Sequence, residues 1–372
     1  MSRSWLDAIH QGLEDQLPAL LPEDMGEEEA EQIVTEAISE NRSRLAEIII
    51  KDLRRRAPQT LKAERKATAG FEARLCDRWK PAFDLYEQLL LIITEVGGEN
   101  DSVLRPVAVA DSDWKFEAIS HLHARSLLVG REIYALLKAG YPDGALARWR
   151  ALHEHAVIAL FISQCDPLVA LRYLAGFHVR AHTAAVEVND YALRANLTPF
   201  SSSTIADLAQ KAEAARLQAG GHPLKKEFDW ALPGLNGRTA NFREIELATG
   251  MDHWRPRYRW ACQHNHGGHR PWMSMLGMSE SESEVALVGG SNSGFVDPLH
   301  MSAISLLNVF SAFLFLEPNI DRIIMVEIAA KFVDELGETA LRVSVETLAR
   351  ARQEPAAVVR PPPTGAKSRI MP

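Results

Sequence analysis

Apolar residues recur at helical spacing along most of this chain, and the elements they predict are almost all helices. In the first hundred residues Ile33, Ala37, Leu45, Ile48 and Ile49 mark such a face. The breaker cluster Gly97-Gly98-Glu99-Asn100-Asp101, followed by Pro106, predicts a boundary near residue 105. Two long helices are expected next, over about 114–139 and 143–164, and the short turn Gly140–Gly144 makes them an antiparallel pair. A third runs from about Pro167 to Ala195. Residues 198–298 are less regular, with helices near 202–219 and 254–264 set among Gly- and Pro-rich loops. Asp297 and Pro298 read as the N-cap and first-turn proline of an apolar helix that ends near Glu317-Pro318. A last amphipathic helix covers roughly 319–353, and the Pro-rich tail from Pro355 reads as disordered.

The predicted fold is therefore all-α. It is a multi-helix bundle with a helical N-terminal region (1–105), a core domain (106–318, irregular over 198–298), a C-terminal helix (319–354) and a tail (355–372). No internal repeat is visible.

Polar residues on the apolar faces carry the candidate chemistry. On the helix 143–164, Leu146, Trp149, Ala156, Val157 and Leu160 form one stripe with His153 in its middle. Arg150 and Glu154 lie on its flank, four apart, where an ion pair can form. Arg148 and His155 point to the opposite, solvated side. Charged groups beside a core seam must be paired, because an unpaired buried charge is very costly. Such a network reads either as a device that fixes helix register or as the floor of a pocket.

His123 shares a stripe with Phe116, Ile119, Leu127, Tyr134 and Leu137, while His121 points away. Hairpin geometry offsets His123 from His153 by roughly 10 Å along the bundle, so the two do not belong to one site. His178 and His182 stand one turn apart, a spacing that can chelate a metal. The run from Tyr258 to Trp272 holds His264, His266 and His269 with Arg259, Arg270 and two tryptophans. It is open to three readings: a helix end docked on the bundle, a metal site, or contact with a base or phosphate.

No H-E-x-x-H, di-iron Glu-x-x-His pair, G-x-S-x-G elbow or P-loop is present, and Gly289–Gly294 lacks the G-K-[ST] ending. The sequence leaves the cofactor unknown. The net charge of −8 and a pI near 5.9 argue against a dedicated nucleic-acid binder, though not against RNA on a local basic groove. Within 1–105, acidic Glu27–Glu31 and basic Lys51, Arg54, Arg55, Arg56, Lys62, Arg65 and Lys66 read as a solvated helix face or as an arm for RNA or a protein partner. Three scattered cysteines and an N-terminus without an apolar signal core lead us to expect a cytoplasmic protein with reduced thiols. The longest apolar run, Ala303–Leu316, is too short to span a membrane, so it reads as a buried core helix. A homodimer is a further expectation.

Several of these residues together resemble an uncharacterised bacterial family, the domain of unknown function numbered five-six-seven-seven, over roughly 115–315. They are Gly144–Glu154, Phe228-Asp229-Trp230-Ala231, Phe242-Arg243-Glu244-Ile245, Tyr258 and His266-Gly267. The resemblance implies a helical domain in which Arg150 and Glu154 lie on a core helix, with Tyr258 and His266 near the second half. It implies no reaction.

A looser similarity is to HEPN-type helical bundles, which include ribonucleases of toxin–antitoxin and antiphage systems. Their motif sets a histidine four to six residues after an arginine, a spacing met by Arg148–His153 and by Arg150–His155. Trp149 and Ala151 stand where that motif often has a polar residue. This similarity implies metal-independent RNA cleavage in stress or phage defence; placement on or beside one helix seam makes Arg150 and His153 the expected acting pair, supported by Glu154 and His266. The competing expectation is a non-catalytic binding or scaffold module whose polar seam only organises the fold.

Overall fold

A computed structural model describes residues 26–220, 224–269, 271–281 and 287–353. Among them every regular element is helical, and no strand occurs. The tail from Pro355 lies outside the described residues.

Helix α1 spans Glu27–Asp111 without interruption. The expected break at Gly97–Asp101 is absent, and Pro106 also sits within the helix. Burial explains why the glycines do not end it. Leu75, Trp79, Ala82, Phe83, Tyr86, Leu89, Leu90 and Ile93 form a buried stripe immediately before them, and tertiary packing of such a face outweighs helix propensity. The chain divides into two compact units, residues 1–73 and 74–372. In the first, side chains from Lys51 to Ala69 are nearly all exposed.

The second unit is the bundle. At the end of α1, Ser112 takes a left-handed φ of 54°, and the Asp113 carboxylate accepts from the amides of Lys115 and Phe116. That cap starts α2 (Trp114–Lys138). Gly140, with φ of 88°, turns the chain, and Pro142 opens α3 (Pro142–Gln164) antiparallel to α2. Helix α4 (Pro167–Ala195) follows, capped by Asp166, then α5 (Ser202–Gln218), capped by Ser201. Arg172 of α4 is fully buried and donates to the carbonyls of Ala219 and Asp229, tying the end of α5 to the turn Asp229–Leu235. The short helices α6 (Phe242–Thr249) and α7 (Arg255–Cys262) lie against α3.

Helix α8 (Val296–Leu314) is the buried apolar helix expected from sequence, at the centre of the unit. Its start differs from expectation. Asp297 lies inside the first turn and Phe295 holds the cap position without a side-chain bond. Phe295 is drawn there by the core, where its ring stacks 4.9 Å from Trp79. Trp149 of α3 reaches α8 and donates its indole N–H to Met301 O and Ser305 Oγ, both at 3.0 Å. Helix α9 (Ile320–Gln353) packs on α8 through Ala329, Val333, Leu336 and Ala340. No helix among the described residues is long and apolar enough to cross a membrane, and the three cysteines are free.

Candidate functional site

The α3 seam meets α6 and α7 along one ridge, and the polar residues there fall into two linked groups. The first is open to solvent. Arg150 donates from Nε to the Tyr258 hydroxyl at 3.1 Å, and Tyr258 donates in turn to Glu154 Oε1 at 2.6 Å. The Arg150 Nη2–Glu154 ion pair, at 3.1 Å, closes the ring of three. Burial and the Glu154 carboxylate push the Tyr258 phenol well above its ordinary range, so it stays a neutral donor. Its hydrogen bond to Tyr258 and the charge of Glu154 raise Arg150 further, so the guanidinium stays charged. Arg148, Arg150, Glu154 and Asn265 line a recess of about 430 Å³ at this point. Arg148 is itself paired with Glu132 of α2, so the recess is balanced in charge.

The second group is buried at His153 and Glu246 and reaches solvent through Arg255, which lines a separate recess with Arg243 and Arg259. His153 is 1% exposed, and its Nε2 lies 3.4 Å from Oε1 of Glu246, which is 0% exposed. The other Glu246 oxygen accepts from Arg255 Nη1 at 2.7 Å. Aromatic rings close around the imidazole: Trp149 at 5.1 Å, Tyr258 at 5.8 Å, Phe242 at 6.1 Å and Trp254 at 6.5 Å. Tyr258 touches both groups, for the guanidiniums of Arg150 and Arg255 lie over its ring at 5.5 and 5.4 Å. His153 does not line the recess that holds Arg150.

The other expected residues are dispersed. His155 is buried, with Nδ1 3.2 Å from Ser126 Oγ, and this corrects its expected solvated position: α2 covers that side of α3. Burial, with Arg125 and Arg148 nearby, holds its pKa down at about 4. His264 pairs with Asp143 at 3.1 Å, and the same carboxylate accepts from the amides of Leu276 and Gly277. Burial alone would raise the Asp143 carboxyl, but these three partners bring it below its ordinary range. This clasp fastens the loop after α7 to the start of α3. His266 and His269 are exposed and take no part in either group. Among the described residues no cluster of three metal-ligating side chains exists, so His178 and His182 lack a third ligand.

Glu246 and Arg255 were missed by sequence reasoning, yet a signal for the first was present. Phe242, Ile245 and Glu246 share the buried face of α6 at helical spacing, and an acid on such a face demands a partner.

The fold and site define a helical bundle organised around a buried His153–Glu246 pair held by the part-exposed Arg255, with a polar recess beside it. Residues 116–284 match the model of a family described as "Family of unknown function (DUF5677)". Every residue of the two groups lies inside the matched stretch. No curated protein and no solved structure matches the chain.

Proposed function

We propose that this protein is a non-catalytic binding module whose polar seam organises the bundle. The observation that carries this is the sealing of His153. Cleavage of a phosphodiester needs a proton carrier and a charge stabiliser on the same phosphate. Arg150 faces a solvent-open recess, while His153 is shut among four aromatic rings with its Nε2 committed to Glu246. Glu154 is occupied by Arg150 and Tyr258.

The exposed segment of α1 from Ile50 to Lys66 supports a docking role. Its seven basic residues outnumber Asp52 and Glu64, and Ile50, Leu53 and Leu61 stand exposed beside them. Apolar side chains among cations suit an acidic amphipathic protein segment better than an RNA backbone. RNA cleavage in stress or phage defence is the rival reading, supported by the presence of Arg148 and Arg150 in one recess.

The deciding experiment incubates wild type, Arg150→Ala and His153→Ala with single-stranded RNA and reads both cleavage and binding. We expect no cleavage by any of the three. Cleavage by wild type that either substitution abolishes, with folding intact, overturns the module. RNA retained without cleavage, and released when the basic residues of 51–66 are neutralised, replaces the acidic protein partner with RNA.

A further inference from the structure

We infer that the recess between α2 and α4 is a binding site for a small aromatic monoanion, a planar apolar body bearing one carboxylate. The site is independent of the seam around His153. Its volume is about 620 Å³, within the range of small-molecule pockets. Helical geometry builds it from two facing rows: His121 and Arg125, four apart on α2, and Tyr173, Phe177 and Arg180 along one face of α4.

The two guanidiniums form the anion end. No ion pair joins Arg125 or Arg180 to a carboxylate among the described residues, while the one acid lining the recess, Glu117, is taken by Arg105 at 3.4 Å and His121 at 3.1 Å. Arg125 of α2 and Arg180 of α4 line the recess together with Tyr173, and their charges oppose the rise that burial imposes on its phenol. Gly176 sets the position of Arg180. A long helical side chain leans toward the N-terminus of its helix, and Arg180 folds back over the glycine so closely that a Cβ there would sit 2.9 Å from Nη1.

Aromatic rings form the other end. Tyr173 is held edge-on to Trp230 at 5.0 Å, and Phe177, edge-on to His178 at 5.5 Å, is 64% exposed at the recess, where it can cover a ligand ring. Leu122 and Leu174 complete an apolar wall. Two guanidiniums match a single carboxylate through forked hydrogen bonds, and Glu117, about two turns from Arg125 in the same α2 row, disfavours a polyanion.

Isothermal titration of the full chain with indole-3-acetate, indole-3-ethanol, acetate and adenosine monophosphate tests this. We expect indole-3-acetate to bind at least about tenfold more tightly than the other three, because each end of the recess supplies part of the affinity. Arg125→Ala and Arg180→Ala each weaken it about tenfold. Arg180→Lys falls between, since a point charge replaces a fork. Gly176→Ala displaces Arg180 and weakens binding while the melting curve stays at wild-type temperature or above.

Equal binding of indole-3-ethanol, or wild-type affinity in both arginine-to-alanine variants, overturns the anion clamp. Tighter binding of adenosine monophosphate overturns the monoanion assignment. Absence of binding by all four probes overturns the site.

Discussion

Glu246→Ala lowers the stability of the bundle by about 3–5 kcal/mol, the largest loss expected of any single substitution in the seam. The carboxylate is fully buried and serves two partners, Arg255 at 2.7 Å and His153 at 3.4 Å. Removing it leaves the buried His153 imidazole and the part-exposed Arg255 guanidinium without their shared partner, and Arg255 Nε already lacks a hydrogen-bond partner. A melting midpoint lower by about 10 °C is the expected reading in a bundle of this size. The cost is shared, so Glu246→Ala combined with His153→Ala costs less than the sum of the two single changes. Strict additivity in thermal melts would show that the two residues do not act as one unit.

Gly97→Ala has the second-largest expected effect, a loss of stability, while Gly98→Ala gives a small gain. A Cβ on Gly97 would lie 2.2 Å from Cε1 and 2.7 Å from Nε2 of His123, an overlap that something must relieve. His123 has little room to move, because its ring rests 4.8 Å from Phe313 and 6.3 Å from Phe310 in the centre of the core. Burial holds its pKa down at about 4, so the ring behaves as a neutral, flat filler. Overpacking of this kind costs about 1–3 kcal/mol, which exceeds the gain of about 0.5–1 kcal/mol from replacing a helical glycine by alanine. Nothing lies within 4 Å of a Cβ at Gly98, so there the gain stands alone. Urea titration of the two variants should move the midpoints in opposite directions. Movement in the same direction would contradict the close approach.

These glycines also show why parts of the fold were legible and parts were not. The helices 114–139, 143–164 and 167–195 were readable to within a residue or so, because caps, Pro142, Pro167 and an apolar stripe agree locally. Gly97-Gly98 was misread as a break because the contact that rewards a missing side chain comes from His123, which is distant in sequence. The Arg150–Glu154 pair was visible at its i,i+4 spacing, and His153 was visible in its stripe. Their division into an open and a sealed group was not visible, since it depends on where Tyr258 and Glu246 arrive from α7 and α6. His155 was assigned to solvent because the second neighbour covering α3 cannot be counted from one helix alone. The region 1–105 read as one piece, whereas its residues from Arg74 onward belong to the bundle.

His153 is a structural residue closed off from any substrate. Timed modification of the native protein with diethyl pyrocarbonate, mapped residue by residue by mass spectrometry, tests this directly. His266 and His269 are exposed and should react at once, while His153 should stay unmodified until the protein is unfolded. Native-state modification of His153 at the rate of His266 would contradict the sealing of this imidazole and return it to the groups a substrate can reach.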